Sequence, residues 1–421
     1  MAKRIIFHVD VNSAFLSWEA AYRLEHLGAS LDIREIPSAI GGDRKKRHGI
    51  ILAKSEPAKK YGVRTGEPIT DALKKCPDLY LTPPNYGLYQ ERSDAFMEIL
   101  RQYTPDVEQY SIDEAFMDMT GTEKLWGPPE AAADKVREHI YRELGFTVNI
   151  GVSENKLLAK MASDFKKPNR THTLFISEIE QKMWPLPVSE LFFVGRMTAK
   201  TLNDMGIYSI GDLAKTNPEI LKSRLKKQGE TIWAFANGLD NSLVETVQEP
   251  NKGYGNSTTI SFDVTDPEIA KQVLLSLCET VGTRLRQNHV KTEGLSVEIK
   301  NSDFQKKSHQ CTLDSPTNIT NELYDISCEL FDQLWDGAPI RLLGVSANRI
   351  VDESAPRQIQ LFGGKNYDKM AKLDQAIDSI RGKYGVDSVK RAVFQQNKVE
   401  HIAGKMSKEK RSVDYNELDI E

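Results

Sequence analysis

VEQYSIDEAFMDMT, residues 107–120, sets two acidic residues, Asp113 and Glu114, side by side in what reads as a β-hairpin. Far upstream, RIIFHVDV at 4–11 reads as a buried strand ending in a third carboxylate, Asp10. If these strands lie next to each other, three carboxylates meet at one point and repel unless a divalent cation neutralises them. Two Mg²⁺ ions roughly 3.5–4 Å apart activate a hydroxyl and steady a leaving pyrophosphate, the two-metal route to phosphoryl transfer. Hard oxygen donors suit Mg²⁺, which keeps waters and substrate phosphates in its shell. An Asp-Glu pair by itself is usually a solvated surface feature, and spacing alone leaves both readings open. Asp10 weighs toward the metal, because the end of a buried strand is a poor place for an unpaired charge.

Outward from these stretches, Ser13 is placed to cap the helix SAFLSWEAAYRLEHL, with Ala14, Trp18, Ala21 and Tyr22 on one face. Short β-like pieces and the basic run GGDRKKRHG fill 31–77, and a turn-rich region with Pro77, Pro83 and Pro84 leads to a helix over 86–103. Val136, Ile140 and Leu144 mark another helix, FTVNIGVS a further strand, and Ser153 is placed to cap ENKLLAKMASDF. This order predicts an α+β sheet with helices on one face. Residues 167–240 read as helical, and a second β/α pattern runs over about 253–352. The polar remainder holds QIQLFGG and one short helical stretch. Boundaries fall near 166, 240 and 352, and no internal repeat stands out.

With 421 residues the chain has room for about three units. Its 39% hydrophobic and 28% charged residues predict a globular protein. A net charge of -4 neither announces nor excludes nucleic acid, which is bound by a local basic groove. Cys76, Cys278, Cys311 and Cys328 form no Cys-x-x-Cys pair, so they read as reduced thiols and not as a zinc site. MAKRIIFHVDVN is broken by His8 and Asp10, unlike a signal peptide, and no run approaches the ~20 apolar residues of a membrane span. The expectation is a cytoplasmic, soluble monomer.

HVDVNSAFLSWE at 8–19 and YSIDEAF at 110–116 resemble the two signature motifs of the Y-family DNA polymerases, the bacterial polymerase IV and V group. The resemblance covers roughly residues 4–352. It implies a right-hand polymerase with a ferredoxin-like palm (1–12 and 78–166), small fingers (13–77), a helical thumb (167–240), a β/α little finger (250–352) and a tail (353–421). It implies template-directed addition of dNMP to a primer 3′-hydroxyl, of the translesion type used in DNA repair, with low fidelity and tolerance of damaged bases. Asp10 and Asp113 would each touch both Mg²⁺ ions and Glu114 the catalytic one, while the Val11 carbonyl would join the nucleotide-side ion. Ser111 stands in the motif's serine position as a support. Asn12 departs from the aspartate common in polymerase IV proteins and is similar to the polymerase V pattern.

The same resemblance makes Phe15 a steric gate, a flat ring under the sugar that leaves no room for a 2′-hydroxyl. Lys59 and Lys167 align with triphosphate contacts, although the family's tyrosine and arginine are here Glu56 and Lys59, and lysine lacks arginine's bidentate fork. Ala39, Ile40 and Ala53 align with the roof over the templating base. Residues 191–214 resemble a helix-hairpin-helix with Gly195 at its turn, but Phe193-Val194-Gly195 stands where the motif has Gly-x-Gly. Between 245 and 352 there are 10 Lys/Arg against 16 Asp/Glu. The basic ones cluster, however, and the family's little finger predicts a sheet face carrying Arg284, Arg286, Lys291, Lys300, Lys306 and Lys307 along duplex phosphates. Gln358-Ile359-Gln360-Leu361-Phe362 resembles the peptide that docks on the bacterial sliding clamp, with Leu361 and Phe362 in an apolar pocket. Primer-template DNA, dNTPs and that clamp are the expected partners. A nucleotidyl cyclase shares the carboxylate-metal idea but has no use for thumb, little finger or clamp peptide. A non-catalytic DNA- and clamp-binding factor has no need of all three carboxylates.

Overall fold

The computed structural model describes residues 4–42, 49–247, 249–358, 366–395, 399, 401, 413 and 415. Most of the basic run at 43–48, and Ile359, Leu361 and Phe362 of the clamp-like peptide, lie outside the described residues. The first strands are β1 (Ile6–Val11), β2 (Ser38–Gly41), β3 (Ile51–Lys54), β4 (Tyr80–Thr82), β5 (Val107–Gln109) and β6 (Glu114–Asp118). After them come β7 (Val148–Ser153), β8 (Thr171–Thr173), β9 (Gly253–Val264), β10 (Val290–Asn301), β11 (Lys306–Thr317) and β12 (Ile340–Asp352).

β1 is buried at every position and forms the middle of a five-stranded sheet in the order β5-β6-β1-β7-β8. Its alternation sorts the two faces. Phe7, Val9 and Val11 pack with Phe96, Met97 and Leu100 of the Tyr86–Arg101 helix and Val136 and Ile140 of the Pro129–Leu144 helix. Ile6, His8 and Asp10 point the other way, and there the Lys156–Ser163 helix covers the sheet through Ala159. Helices therefore lie on both faces, not on one as the element order predicts. Gly151 of β7 is what admits the second layer. A Cβ there would sit 1.9 Å from the Ala159 carbonyl oxygen, so helix backbone rests directly on strand backbone.

Neither predicted serine cap forms. Ser13 stands at the helix start with a left-handed φ of 49° and makes no side-chain cap. The cap of the Lys156–Ser163 helix is Asn155, which accepts from Leu158 N at 2.9 Å, while the Ser153 hydroxyl donates to the Leu174 carbonyl.

A three-stranded sheet, β3-β2-β4, flanks this unit beside the Ala14–His26 helix. A helical unit follows, its core formed by Leu158, Met183, Leu202, Ile210, Leu213 and Ile232. The last sheet, β11-β10-β12-β9, packs Leu295, Val297, Leu343 and Val345 against the Pro267–Gln287 and Thr320–Leu334 helices. Among the described residues no helix is long and apolar enough to cross a membrane.

Candidate active site

The antiparallel register of β1 and β6 puts Asp10 directly opposite Glu114, and the Val11 amide donates to the Asp113 carbonyl at 3.0 Å. The sequence-predicted acids are thus brought to one sheet end by strand pairing alone. Ser111 donates to Asp113 Oδ1 at 2.7 Å and so orients that carboxylate. Asp10, Val11 and Asp113 line an open cavity of about 620 Å³ that also takes in Phe15, Ala53, Lys59 and Lys167.

Each strand-end acid is matched with a lysine. Asp10 is 7% exposed and is bonded to Lys167, which also reaches Asp164 at 2.8 Å. Burial outweighs that partner and pushes the Asp10 carboxyl up to about 6. Glu114 behaves oppositely. Burial alone would raise it, but the His8 ring and the Lys160 ammonium, 2.8 Å from Oε2, hold it down at about 2. His8 is itself buried, with Nδ1 on the Ser163 hydroxyl at 2.8 Å. Its Nε2 faces Glu114 only across 3.7 Å and burial lowers the ring's affinity for a proton, so Lys160 is the firmer of the two partners that hold Glu114 down.

Among the described residues no three His, Cys, Asp or Glu side chains are gathered tightly enough to hold an ion as they stand. The reason is visible in the lysines, since Glu114 leans to Lys160 and does not line the cavity. The donor chemistry nonetheless fits a hard divalent cation, with Asp10, Val11 and Asp113 lining one cavity and a buried Asp10 that favours a positive neighbour.

Phe15 stacks on Tyr89 with centroids 4.4 Å apart and planes at 8°, and Tyr86 meets it edge-on at 6.1 Å. Of the three roof candidates, Ala53 lines the cavity, while Ala39 and Ile40 are wholly buried in β2 and offer no side-chain surface. Lys59 lies at the cavity beside Glu56, 3.4 Å away, which offsets some of its charge.

Sequence reading missed Asn149. This fully buried side chain on β7 donates to the carbonyls of Ser163 and Lys166, each at 3.0 Å. It accepts from the Arg170 amide at 3.2 Å and from Asn12 Nδ2 at 3.3 Å. Asn12 in turn accepts from the Asn169 amide at 2.8 Å and the Thr147 hydroxyl at 3.0 Å. Two buried carboxamides therefore hold the loop that carries Lys167. The signal was present as an amide inside the otherwise apolar strand FTVNIGVS.

Gly195 starts the Arg196–Asp204 helix with open space around it. Two residues earlier, Phe193 adopts φ 72°, the left-handed backbone that glycine would normally supply, and its ring is held edge-on to Phe192 and Phe235.

The predicted basic face needs correction. Arg284 and Arg286 belong to the Pro267–Gln287 helix, not to the sheet. Arg286 is half-buried and held between Asp374 (3.1 Å) and Asp378 (2.6 Å), so it has no free charge for a phosphate. Arg284 donates to the Gly255 carbonyl, and Lys291 to that of Ala355. Lys307 lies opposite core-facing Ile299 and pairs with Asp336 on the helix side. Lys300 and Lys306 alone of the six share the open face, directly opposite each other, and Lys306 is paired there with Glu298 at 2.6 Å.

Residues 9–164 match the model of the impB/mucB/samB family, and residues 251–361 match that family's C-terminal domain. The chain is 45% identical to DNA polymerase IV of Clostridium acetobutylicum over 391 residues, 93% of this chain and 98% of the relative. It is 38% identical to DNA polymerase IV of Acetivibrio thermocellus over 400 residues, 94% and 98% of the two chains. Among solved structures it resembles the Y-family DNA polymerase chimera Dbh-Dpo4(243-245)-Dbh, with a TM-score of 0.70, 22% identity, and 83% and 99% of the two chains covered.

Proposed function

The chain belongs to the impB/mucB/samB family, with DNA polymerase IV relatives along nearly its whole length, and from that premise we propose how its residues perform template-directed nucleotidyl transfer. It is a DNA polymerase of the translesion type that binds DNA and dNTPs. The finer reading, two Mg²⁺ ions and low-fidelity copying past damaged bases, is supported above all by the Asp10–Glu114 register pair beside Asp113 at the rim of the cavity.

Asp10, Asp113, Glu114 and the Val11 carbonyl would hold the ions, whose chemistry is to activate the primer 3′-hydroxyl and neutralise the leaving pyrophosphate. Ser111 keeps Asp113 oriented through its 2.7 Å hydrogen bond. Lys167, held at the cavity by the Asn12–Asn149 network, supplies fixed positive charge to the triphosphate, with Lys59 also lining that cavity. Phe15, flat on Tyr89, presents an aromatic edge where a 2′-hydroxyl would clash and so excludes rNTPs. Lys300 and Lys306 lie along duplex phosphate, with Lys306 exchanging its Glu298 partner for a phosphate oxygen. Gln358 to Phe362 dock on the sliding clamp. A peptide spanning 354–365 binds it, and no binding at high micromolar concentration overturns that part.

The deciding experiment is primer extension on undamaged and abasic templates with Mg²⁺ and dNTPs. Wild type extends both, and Asp113→Ala extends neither. A folded wild type that stays silent even with the clamp added overturns the proposal.

A further inference from the structure

The family's C-terminal model ends at residue 361, yet the described residues beyond it are closely engaged with the rest of the protein. The Tyr367–Tyr384 helix docks on the four-stranded-sheet unit. Asp374 and Asp378 clasp Arg286, and Glu279, 3% exposed, receives Arg381 at 3.4 Å and Arg391 at 2.7 Å. Tyr415 then reaches the catalytic unit. Its hydroxyl donates to Glu19 Oε2 at 3.1 Å and accepts from Asn85 Nδ2 at 2.9 Å, and its ring lies 5.2 Å from that of Tyr22.

The two residues joined by this hydroxyl are informative. Glu19 is one helical turn after Phe15 on the Ala14–His26 helix, and Asn85 is the cap one turn before Tyr89 on the Tyr86–Arg101 helix. The helices are therefore tied twice, one turn apart. One tie is the Phe15–Tyr89 stack, and the other is Glu19–Tyr415–Asn85. Glu19 has no exposed surface, and its other oxygen accepts from Arg23 at 2.8 Å. Arg23 goes on to the Tyr80 hydroxyl and Thr82 of β4. Without Tyr415, one buried carboxylate oxygen and one carboxamide donor lose their partner across the helix junction.

We propose that Tyr415 is a positioning residue for sugar selection, a C-terminal strap that locks the helix bearing Phe15 to the helix bearing Tyr89 and so fixes the height of the ring under the incoming sugar. This rests on the reading of Phe15 as the gate.

The test uses full-length protein and compares Tyr415→Ala, Tyr415→Phe and Phe15→Leu. Single-nucleotide extension gives kcat/KM for dNTP and rNTP, and hydrogen exchange is followed over 14–26 and 86–101. Tyr415→Ala, which loses both hydrogen bonds and the ring contact, should lower the dNTP/rNTP discrimination about 10-fold, below the roughly 30-fold that two buried hydrogen bonds would give if all of it reached the gate. Tyr415→Phe, which loses both hydrogen bonds but keeps the ring on Tyr22, should lower it about 5-fold. Faster exchange in both helices should accompany each loss. Unchanged discrimination in Tyr415→Ala, with Phe15→Leu impaired in the same assay, overturns the strap and leaves the gate standing. If Phe15→Leu is itself unaffected, the gate reading fails. Exchange then decides the tie, with faster exchange in Tyr415→Ala supporting it and unchanged exchange overturning it.

Discussion

Replacing Asn149 by alanine tests whether the Lys167 loop is held by buried amide chemistry or merely packed. The substitution strips partners from the Ser163 and Lys166 carbonyls, from the Arg170 amide and from Asn12 Nδ2. Asn149 is fully buried, so water does not readily replace the amide. At about 1 kcal/mol for each interrupted bond, the expected loss is roughly 3–4 kcal/mol. For a cooperative unit of roughly 150–250 residues this lowers Tm by roughly 6–16 °C. Function should fall with it, because the loop places an ammonium at the cavity rim, and a displacement near 1 Å weakens a positioned contact by about 10-fold or more. The assay pairs thermal denaturation with steady-state primer extension well below the variant's melting point. KM for dNTP should rise about 10-fold while affinity for primer-template DNA stays put. A Tm within about 2 °C of wild type, or a normal KM, refutes the reasoning.

Four further outcomes can be checked. In metal-free protein the Glu114 carboxyl, at about 2 against an ordinary 4.5, stabilises the fold above pH 4.5 and loses that contribution as pH falls toward 2, so Glu114→Gln should cost up to about 3 kcal/mol at pH 7 in chelator. Asp10, raised from 3.8 to about 6, stabilises below pH 3.8 and loses that contribution as pH rises through 6, so Asp10→Asn should leave the chelated protein no less stable at pH 7 by denaturant titration. Phe193→Gly should be tolerated within about 1 kcal/mol, since glycine takes φ 72° freely, whereas Phe193→Val should lose about 1–2 kcal/mol in the same titration. Lys300→Ala and Lys306→Ala should each lower the salt slope of DNA binding by about 1, and Lys307→Ala, turned to the other face, should leave it unchanged.

What was legible in the sequence had short-range or strictly periodic causes. Strand β1 could be read because IIFHV is a continuous apolar run, and the β5–β6 hairpin because polar YSID separates its arms. Their pairing, and with it the meeting of Asp10 and Glu114, follows once both are strands of one sheet. The misreadings share a different cause. Arg284 and Arg286 were grouped with the lysines because they are adjacent in sequence, but one belongs to a helix end and the other finds Asp374 and Asp378 about ninety residues later. Nothing local in TRLRQ announces such a partner. Ser153 and Asn155 are both good caps by type, and only the strand-to-strand bond from Ser153 to Leu174 decides between them.

Asn12 shows the same limit most clearly. As a letter it is only a departure from a motif, an amide where an acid is common. In the fold that amide faces a backbone N–H from Asn169, a hydroxyl from Thr147 and the carboxamide of Asn149, which together want an oxygen acceptor and an N–H donor. A carboxylate can supply only the acceptor, and would add a buried charge two residues from Asp10. The departure is therefore matched by Asn149, and the two residues form one device whose meaning appears only when β1 and β7 are paired.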